Sequence, residues 1–200
     1  MPYAYDWPVA LRPASVEWGL VVPQRMGRSA FDGSVQAQTL GAPRWVFTIT
    51  TGAMKREEVS QWEGYFQLLR GMVNRARVWD WRREAPLGPA TGSPVVRLAG
   101  SGVTISLEGW TASVPIILKA GSYMGINGEL KRLSVDMGSD GAGRSVATFE
   151  PPLRAIAPVG GAIVLIKPPA LFVMTTERPV FRQEGARSLG GTFSFEEVFA

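Results

Sequence analysis

Lys55-Arg56-Glu57-Glu58-Val59-Ser60-Gln61-Trp62-Glu63-Gly64-Tyr65-Phe66-Gln67-Leu68-Leu69-Arg70-Gly71 is the stretch that breaks the pattern of the rest of the chain. Val59, Trp62, Phe66 and Leu69 recur at helical spacing, while Glu57, Glu58, Glu63 and Arg70 fall on the other face, so the spacing predicts an amphipathic helix over 55–70. Its polarity agrees with that direction. Glu57 and Glu58 lie in the first turn, near the positive end of the helix dipole, Arg70 lies in the last, and Gly71 can adopt the left-handed conformation that stops a helix. Burying Trp62, Phe66 and Leu69 contributes roughly 1.5–3 kcal/mol each before entropy is subtracted, so this face has to dock on a sheet.

The chain holds 23 Gly and 15 Pro, and on both sides of the helix they punctuate it at short intervals, with brief β-branched and aromatic runs between them. That is the signature of many short strands joined by turns, and it makes the chain mainly β. The expected strands cover 15–22, 44–51, 73–81, 104–107, 115–118, 123–126, 129–135, 145–149, 162–166, 171–175, 180–183 and 192–195. Three prolines and two glycines crowd residues 83–94, which suits an exposed crossing between packed units, and Ile166-Lys167-Pro168-Pro169 marks a second crossing. The expected organisation is a split β domain made of 1–85 and 170–200, carrying the helix, with 86–169 as an inserted small β domain.

Composition narrows the chemistry. The chain has no Cys and no His, which removes disulfides, thiolate nucleophiles, imidazole general bases and the commonest metal ligands. What remains for catalysis is carboxylates, Lys or Tyr. Glu129, Asp136 and Glu150 are candidate acids and bases, yet nothing in the sequence pairs them, so the chain is read as a non-enzyme without a cofactor or metal. The formal charge of +4 comes largely from scattered arginines, a solvated surface more than a binding block. No apolar run approaches a membrane span, and the start, Met1-Pro2-Tyr3-Ala4-Tyr5-Asp6-Trp7-Pro8, lacks the basic and apolar regions of a signal peptide. The protein is therefore expected to stay in the cytosol of the cell that makes it unless an assembly carries it out.

Several local patterns have a chemical and a plain reading. Asp136 and Asp140 lie in an acidic Gly-rich loop that invites comparison with a calcium site, but two carboxylates without a terminal glutamate fit a turn better, and Asp140-Gly141 is itself a hairpin signal. Asn127-Gly128 predicts a tight hairpin between 123–126 and 129–135, because both central residues of that turn need positive φ. Gly125–Gly128 and Gly100–Gly102 are turns and not phosphate loops, since no helix and no lysine follow in register. Trp79, Trp81 and Trp110 are each either core or part of a sugar-stacking platform. Arg75, Arg77 and Trp79 fit a strand with arginines on its outer face better than a single-strand nucleic-acid site.

Taken in order, Gly41-Ala42-Pro43-Arg44-Trp45-Val46-Phe47, Leu68 to Arg75, Trp79-Asp80, Pro86 to Gly88, Ala99 to Gly102, Gly109-Trp110, Ala120 to Ile126, Leu130-Lys131, Asp136 to Gly143, Pro151 to Arg154 and Phe193 to Glu196 resemble the distal tail proteins of long-tailed bacteriophages and gene transfer agents. The resemblance covers most of the chain. It implies a β sandwich or barrel flanked by a helix, with an inserted galectin-like or oligonucleotide-fold-like β domain. It also implies a structural virion protein of the tail, a homo-hexameric ring that joins the tail tube protein to the baseplate hub proteins around the DNA channel. DNA would then pass close by without sequence reading, and no part of the chain would insert into a membrane.

A ring subunit needs a heterologous contact. The segments expected to supply it are a long strand pair around 30–51 and the C-terminal strands. Phe31, Asp32, Val35, Gln36 and Gln38 form a stretch poor in apolar residues that either projects and pairs with another chain or is a simple surface hairpin. The alternative function is a receptor- or carbohydrate-binding module of the tail tip, with Trp110 as its glycan contact.

Overall fold

The structure is a computed structural model that describes residues 2–29, 31–184 and 187–199. In chain order its elements are β1 (Ala4–Asp6), β2 (Ser15–Val21), β3 (Gln24–Arg28), β4 (Val35–Thr39), β5 (Arg44–Thr50), α1 (Arg56–Leu69), β6 (Arg75–Val78), β7 (Gly92–Val96), β8 (Gly100–Trp110) and β9 (Tyr123–Ile126). There follow β10 (Glu129–Leu133), β11 (Ser145–Ala157), β12 (Ile163–Val164), β13 (Ala170–Met174), β14 (Arg182–Glu184), β15 (Arg187–Gly190) and β16 (Thr192–Glu197). The described residues are mainly β with one helix, as the Gly and Pro punctuation implies. It divides into two compact units, Met1–Ala76 with Leu171–Ala200, and Arg77–Ala170.

In the first unit the sheet runs β1-β6-β13-β16-β5-β2. Its pleat sorts the side chains. Trp45, Phe47 and Ile49 on β5 are buried, as are Phe193 and Phe195 on β16, and the register sets Phe195 beside Phe47 and Phe193 beside Ile49, so these rings share one face. The helix covers that face. Phe66 lies 4.6 Å from Phe193 edge to face, Trp62 and Tyr65 lie 5.6 and 5.2 Å from Trp7, and Trp7 reaches Phe195 at 5.8 Å. The expected face of Trp62, Phe66 and Leu69 is buried, Val59 is only half-buried, and Tyr65 joins the buried set. At the helix start the Glu58 carboxylate accepts the Lys55 N–H at 2.8 Å. At its end Arg70 itself is left-handed, with φ 49, one residue before Gly71.

The second unit is a nearly closed antiparallel barrel in the order β12-β9-β10-β11-β8-β7, with a Val95–Ala162 bridge bringing its ends together. Successive strands β9, β10 and β11 pair in turn and β11 then pairs with β8, a Greek-key path whose long connection is 111–122. The Asn127-Gly128 hairpin is present, with φ of 51 and 78 and Glu129 opposite Ile126. Its core gathers Leu107, Ile117, Leu118, Met124, Ile126 and Phe149, among others.

Two expectations change. Residues 115–118 are not a strand but a core-lining part of the long connection, where the Ile117 and Leu118 N–H groups both point at the Met137 carbonyl, at 2.7 and 3.1 Å. A short apolar run is buried either way, so its composition does not distinguish the two. The Pro-rich run after residue 85 is not a free crossing either. Leu87 bonds Ser122 and Lys119, and Ala90 donates to the Ile117 carbonyl at 3.0 Å, so the run is part of the barrel unit and the division falls earlier, after Ala76.

Since Trp62 is 2% exposed among these rings, Trp62→Asp should lose the packing of an aromatic side chain, about 3–5 kcal/mol, and strand a charge as well. Loss of the cooperative urea transition, read by tryptophan fluorescence, is the expected result. A native-like transition midpoint would mean that the helix contributes little to this core.

Candidate functional site

The residues singled out from sequence for contact with another chain converge on one feature, a hairpin formed by β3 and β4. It makes a two-stranded sheet of its own, with Gln24 opposite Thr39, Met26 opposite Ala37 and Arg28 opposite Val35. All five residues of β3 and all five of β4 are exposed. Pairing partners share a face, so Met26, Ala37 and Val35 lie on one side together with Gln24, Arg28 and Thr39, an apolar stripe with a polar margin, and Arg25, Gln38 and Gln36 occupy the other. Met26 is 74% exposed and Phe31, in the loop at the tip, is fully exposed. The expected set is therefore divided. Phe31 and Asp32 are at the tip, Val35 is on the apolar face, and Gln36 and Gln38 are on the polar one.

The hairpin continues the ribbon of β2 and β5, where Val21 stands opposite Arg44, and the Leu40 N–H bonds the Pro23 carbonyl at 2.8 Å across the join. Each strand of a two-stranded sheet keeps one edge of unpaired N–H and C=O groups, which is the geometry that accepts a further strand. The expected pairing across 30–51 does not occur, because β4 pairs with β3 while β5 pairs with β2 and β16. Nor is the last strand available for another chain: β16 lies between β13 and β5 and both of its edges are used. Sequence reading missed β3, since Gln24-Arg25-Met26-Gly27-Arg28 has neither β-branched residues nor a clear alternation.

The tip is ordered by Asp32. Its carboxylate accepts the Ser34 N–H at 3.0 Å, and the Ser29 N–H bonds the Ser34 carbonyl at 2.9 Å. A hydrogen bond from the Ser29 side chain, then those from Ser34, lower the Asp32 pKa from 3.8 to about 2.

Elsewhere the candidates fare differently. Trp110 is 5% exposed within the barrel core, so its ring offers no face to a sugar; this removes the glycan contact. Trp79 and Trp81 are half-buried and tilted at 48° to each other, and Lys167 lies 5.1 Å over the Trp79 ring, so that ring is already covered by a cation. Asp140 closes a turn by accepting the Ala142 and Arg144 N–H groups at 2.9 and 2.8 Å, bonds that lower its pKa. Asp136 accepts the Ala120 N–H at 2.8 Å. Among the described residues no group of three or more His, Cys, Asp or Glu side chains is placed to hold a metal ion.

Glu129 has a structural task. Lys131 is fully buried, faces the same side as Met124, and its Nζ donates to Glu129 at 2.6 Å and to the Pro152 carbonyl at 2.8 Å. Glu129 also accepts the N–H groups of Arg154 and Ala155, each at 3.2 Å, so the pair ties β10 to the irregular part of β11.

Two measurements follow from these contacts. Glu129→Leu, which leaves the Lys131 charge buried alone, should destabilise the barrel by about 3–5 kcal/mol, and adding Lys131→Met should recover most of it, as read by denaturant melts. Equal melts for the two variants would show that the ion pair does not hold the barrel. Because the Asp32 pKa is lowered by folding, its contribution to the tip is complete above 3.8 and lost as pH falls toward about 2. Amide exchange at Ser34 should therefore accelerate, relative to its intrinsic rate, across that window in the native chain and not in Asp32→Asn.

Compared with known proteins, the chain matches no family model and no curated protein sequence.

Proposed function

We propose that this chain is a structural virion protein, a distal tail subunit whose copies close into a ring between the tail tube and the baseplate hub of a long-tailed bacteriophage, around the DNA channel. The observation that carries the reading is the exposed β3–β4 arm. An isolated two-stranded hairpin is marginally stable in water, and this one leaves its apolar stripe and its outer edges uncovered. A neighbouring subunit supplies both missing parts, a surface for Met26, Val35 and Phe31 and a strand for a free edge. Such a contact is heterologous, arm to body, and repetition of one heterologous contact gives a ring when the rotation closes.

The remaining partners follow from the same position in the tail: copies of itself, most simply six, the tail tube protein and the baseplate hub proteins. DNA passing through the bore would meet arginines without base recognition. No helix among the described residues is long and apolar enough to cross a membrane. Assembly, not turnover, is the activity expected, and its site of action is the virion tail.

The test is mass measurement in solution with class-averaged electron micrographs of the purified protein. The full chain should form closed rings, alone or with tube and hub proteins, and a chain in which residues 24–39 are replaced by a two-residue turn should stay folded and monomeric. A full chain that remains strictly monomeric with those partners present would sink the reading. Rings that persist without the arm would move the contact elsewhere.

A further inference from the structure

Within the barrel unit, Tyr123 lies at the centre of a group of arginines. The guanidinium carbons of Arg83 and Arg132 are each 5.9 Å from its ring centroid, and Arg83 Nη1 donates to the Gly121 carbonyl at 2.7 Å. Gly121 has φ +85, and the point where a Cβ would stand on it lies 3.2 Å from Arg83 Nη1 and 3.7 Å from Arg132 Nη2. Two cations therefore converge on one spot, and the residue beneath that spot has no side chain.

Asp80 is the carboxylate whose charge acts on Tyr123, and it is already engaged. Arg82 is occupied, its Nε and Nη2 bonding the buried Asp80 carboxylate at 3.0 and 2.9 Å. Glu84 pairs with Lys167 at 3.4 Å, and Glu150, opposite Arg132 in the strand register, makes no ion pair with it among the described residues. Among the described residues neither Arg83 nor Arg132 has a carboxylate within salt-bridge distance, and the Arg132 guanidinium has no hydrogen-bond partner. Like charges held together over an aromatic ring, with unused N–H donors and one of them exposed, fit an anion placed between them. The shape of the site favours one chemistry. A carboxylate is satisfied by the fork of a single arginine, whereas a phosphate has oxygens on more than one side and can accept from both guanidiniums at once.

We infer that Arg83 and Arg132, converging above Gly121 on Tyr123, form a phosphate-binding site, which takes the phosphate of a nucleic-acid backbone or the free ion. This site is independent of the ring reading, since a monomeric protein would carry it equally.

The experiment is titration calorimetry of the intact protein with inorganic phosphate and, separately, with a short DNA duplex over a series of salt concentrations. Saturable phosphate binding, weakened about tenfold or more in Arg132→Gln, is the result expected for the free ion. Duplex binding whose salt slope falls by about 1 in the same variant is the result expected for a backbone phosphate. Arg132→Gln should fold normally, checked by circular dichroism, because that guanidinium is exposed and makes no hydrogen bond to the described residues. Arg83→Lys keeps the charge and tests the fork. Arg25→Gln, on the arm, serves as a control for net charge. Absence of binding to both probes overturns the inference. So does an equal loss in Arg25→Gln and Arg132→Gln, or binding of polyglutamate in place of phosphate.

Discussion

Phe47 is the ring on which the first unit depends. It stacks on Trp18 at 5.0 Å to one side and on Phe195 at 4.7 Å to the other, and it meets Phe172 edge-on at 4.8 Å. Those partners come from β2, β16 and β13, so a single side chain joins the beginning and the end of the chain. Helix α1 then rests on the surface these rings make. The sheet is incomplete until residues 192–197 arrive, after the whole barrel unit has been threaded between. Loop-closure entropy rises only slowly with length, so the long detour costs little more than a short one, and the aromatic contacts made on closure can offset it.

The detour is also well anchored at its root. It leaves along β6 and returns along β13, which are neighbours in the same sheet. Just inside the barrel unit, the Lys167 N–H bonds the Glu84 carbonyl at 2.7 Å, their side chains pair at 3.4 Å, and Lys167 covers Trp79. The outgoing and returning segments are thus fastened to each other at the start of a unit that has its own core. At the Trp110 end that packing leaves no room for side chains. A Cβ on Gly92 or Gly143, both at positive φ, would collide with the Trp110 backbone.

Much of this was legible because the residues concerned obey one rule at a time. Helix periodicity located α1, the Asn127-Gly128 pair located a hairpin, and alternation located β5 and β16. Reading failed where two rules give the same composition. Ile116-Ile117-Leu118 is equally apolar as a strand or as a loop lining a core, and the barrel uses it as the latter. Pro86 to Pro94 has the look of a linker, yet its backbone bonds into the barrel. Tyr65 was missed because its hydroxyl suggests a surface, although the ring packs on Trp7 and burial raises its pKa. At the candidate site, Phe31, Asp32 and Val35 were found through the scarcity of apolar residues around them. Met26 and the β3 strand were not, since only the partner strand reveals that Met26, Ala37 and Val35 form a stripe. The arginines around Tyr123 are far apart in sequence and carry no motif at all.

The arm and the arginine group differ from the cores in one respect that bears on function. In both units the core is built of buried large apolar side chains, and even a buried charge such as Lys131 has its acid and its carbonyl. The arm differs, because Met26, Ala37 and Val35 lie exposed on the face they share with Gln24, Arg28 and Thr39, and within the described chain nothing covers them. Local hydrogen bonds at Asp32 set the tip in place without supplying a core. A hairpin joined at its base to the β2–β5 ribbon and closed at its tip by the Asp32 bonds loses less conformational entropy on docking than a disordered segment would. That physical economy, more than any single residue, is what favours the proposed assembly role.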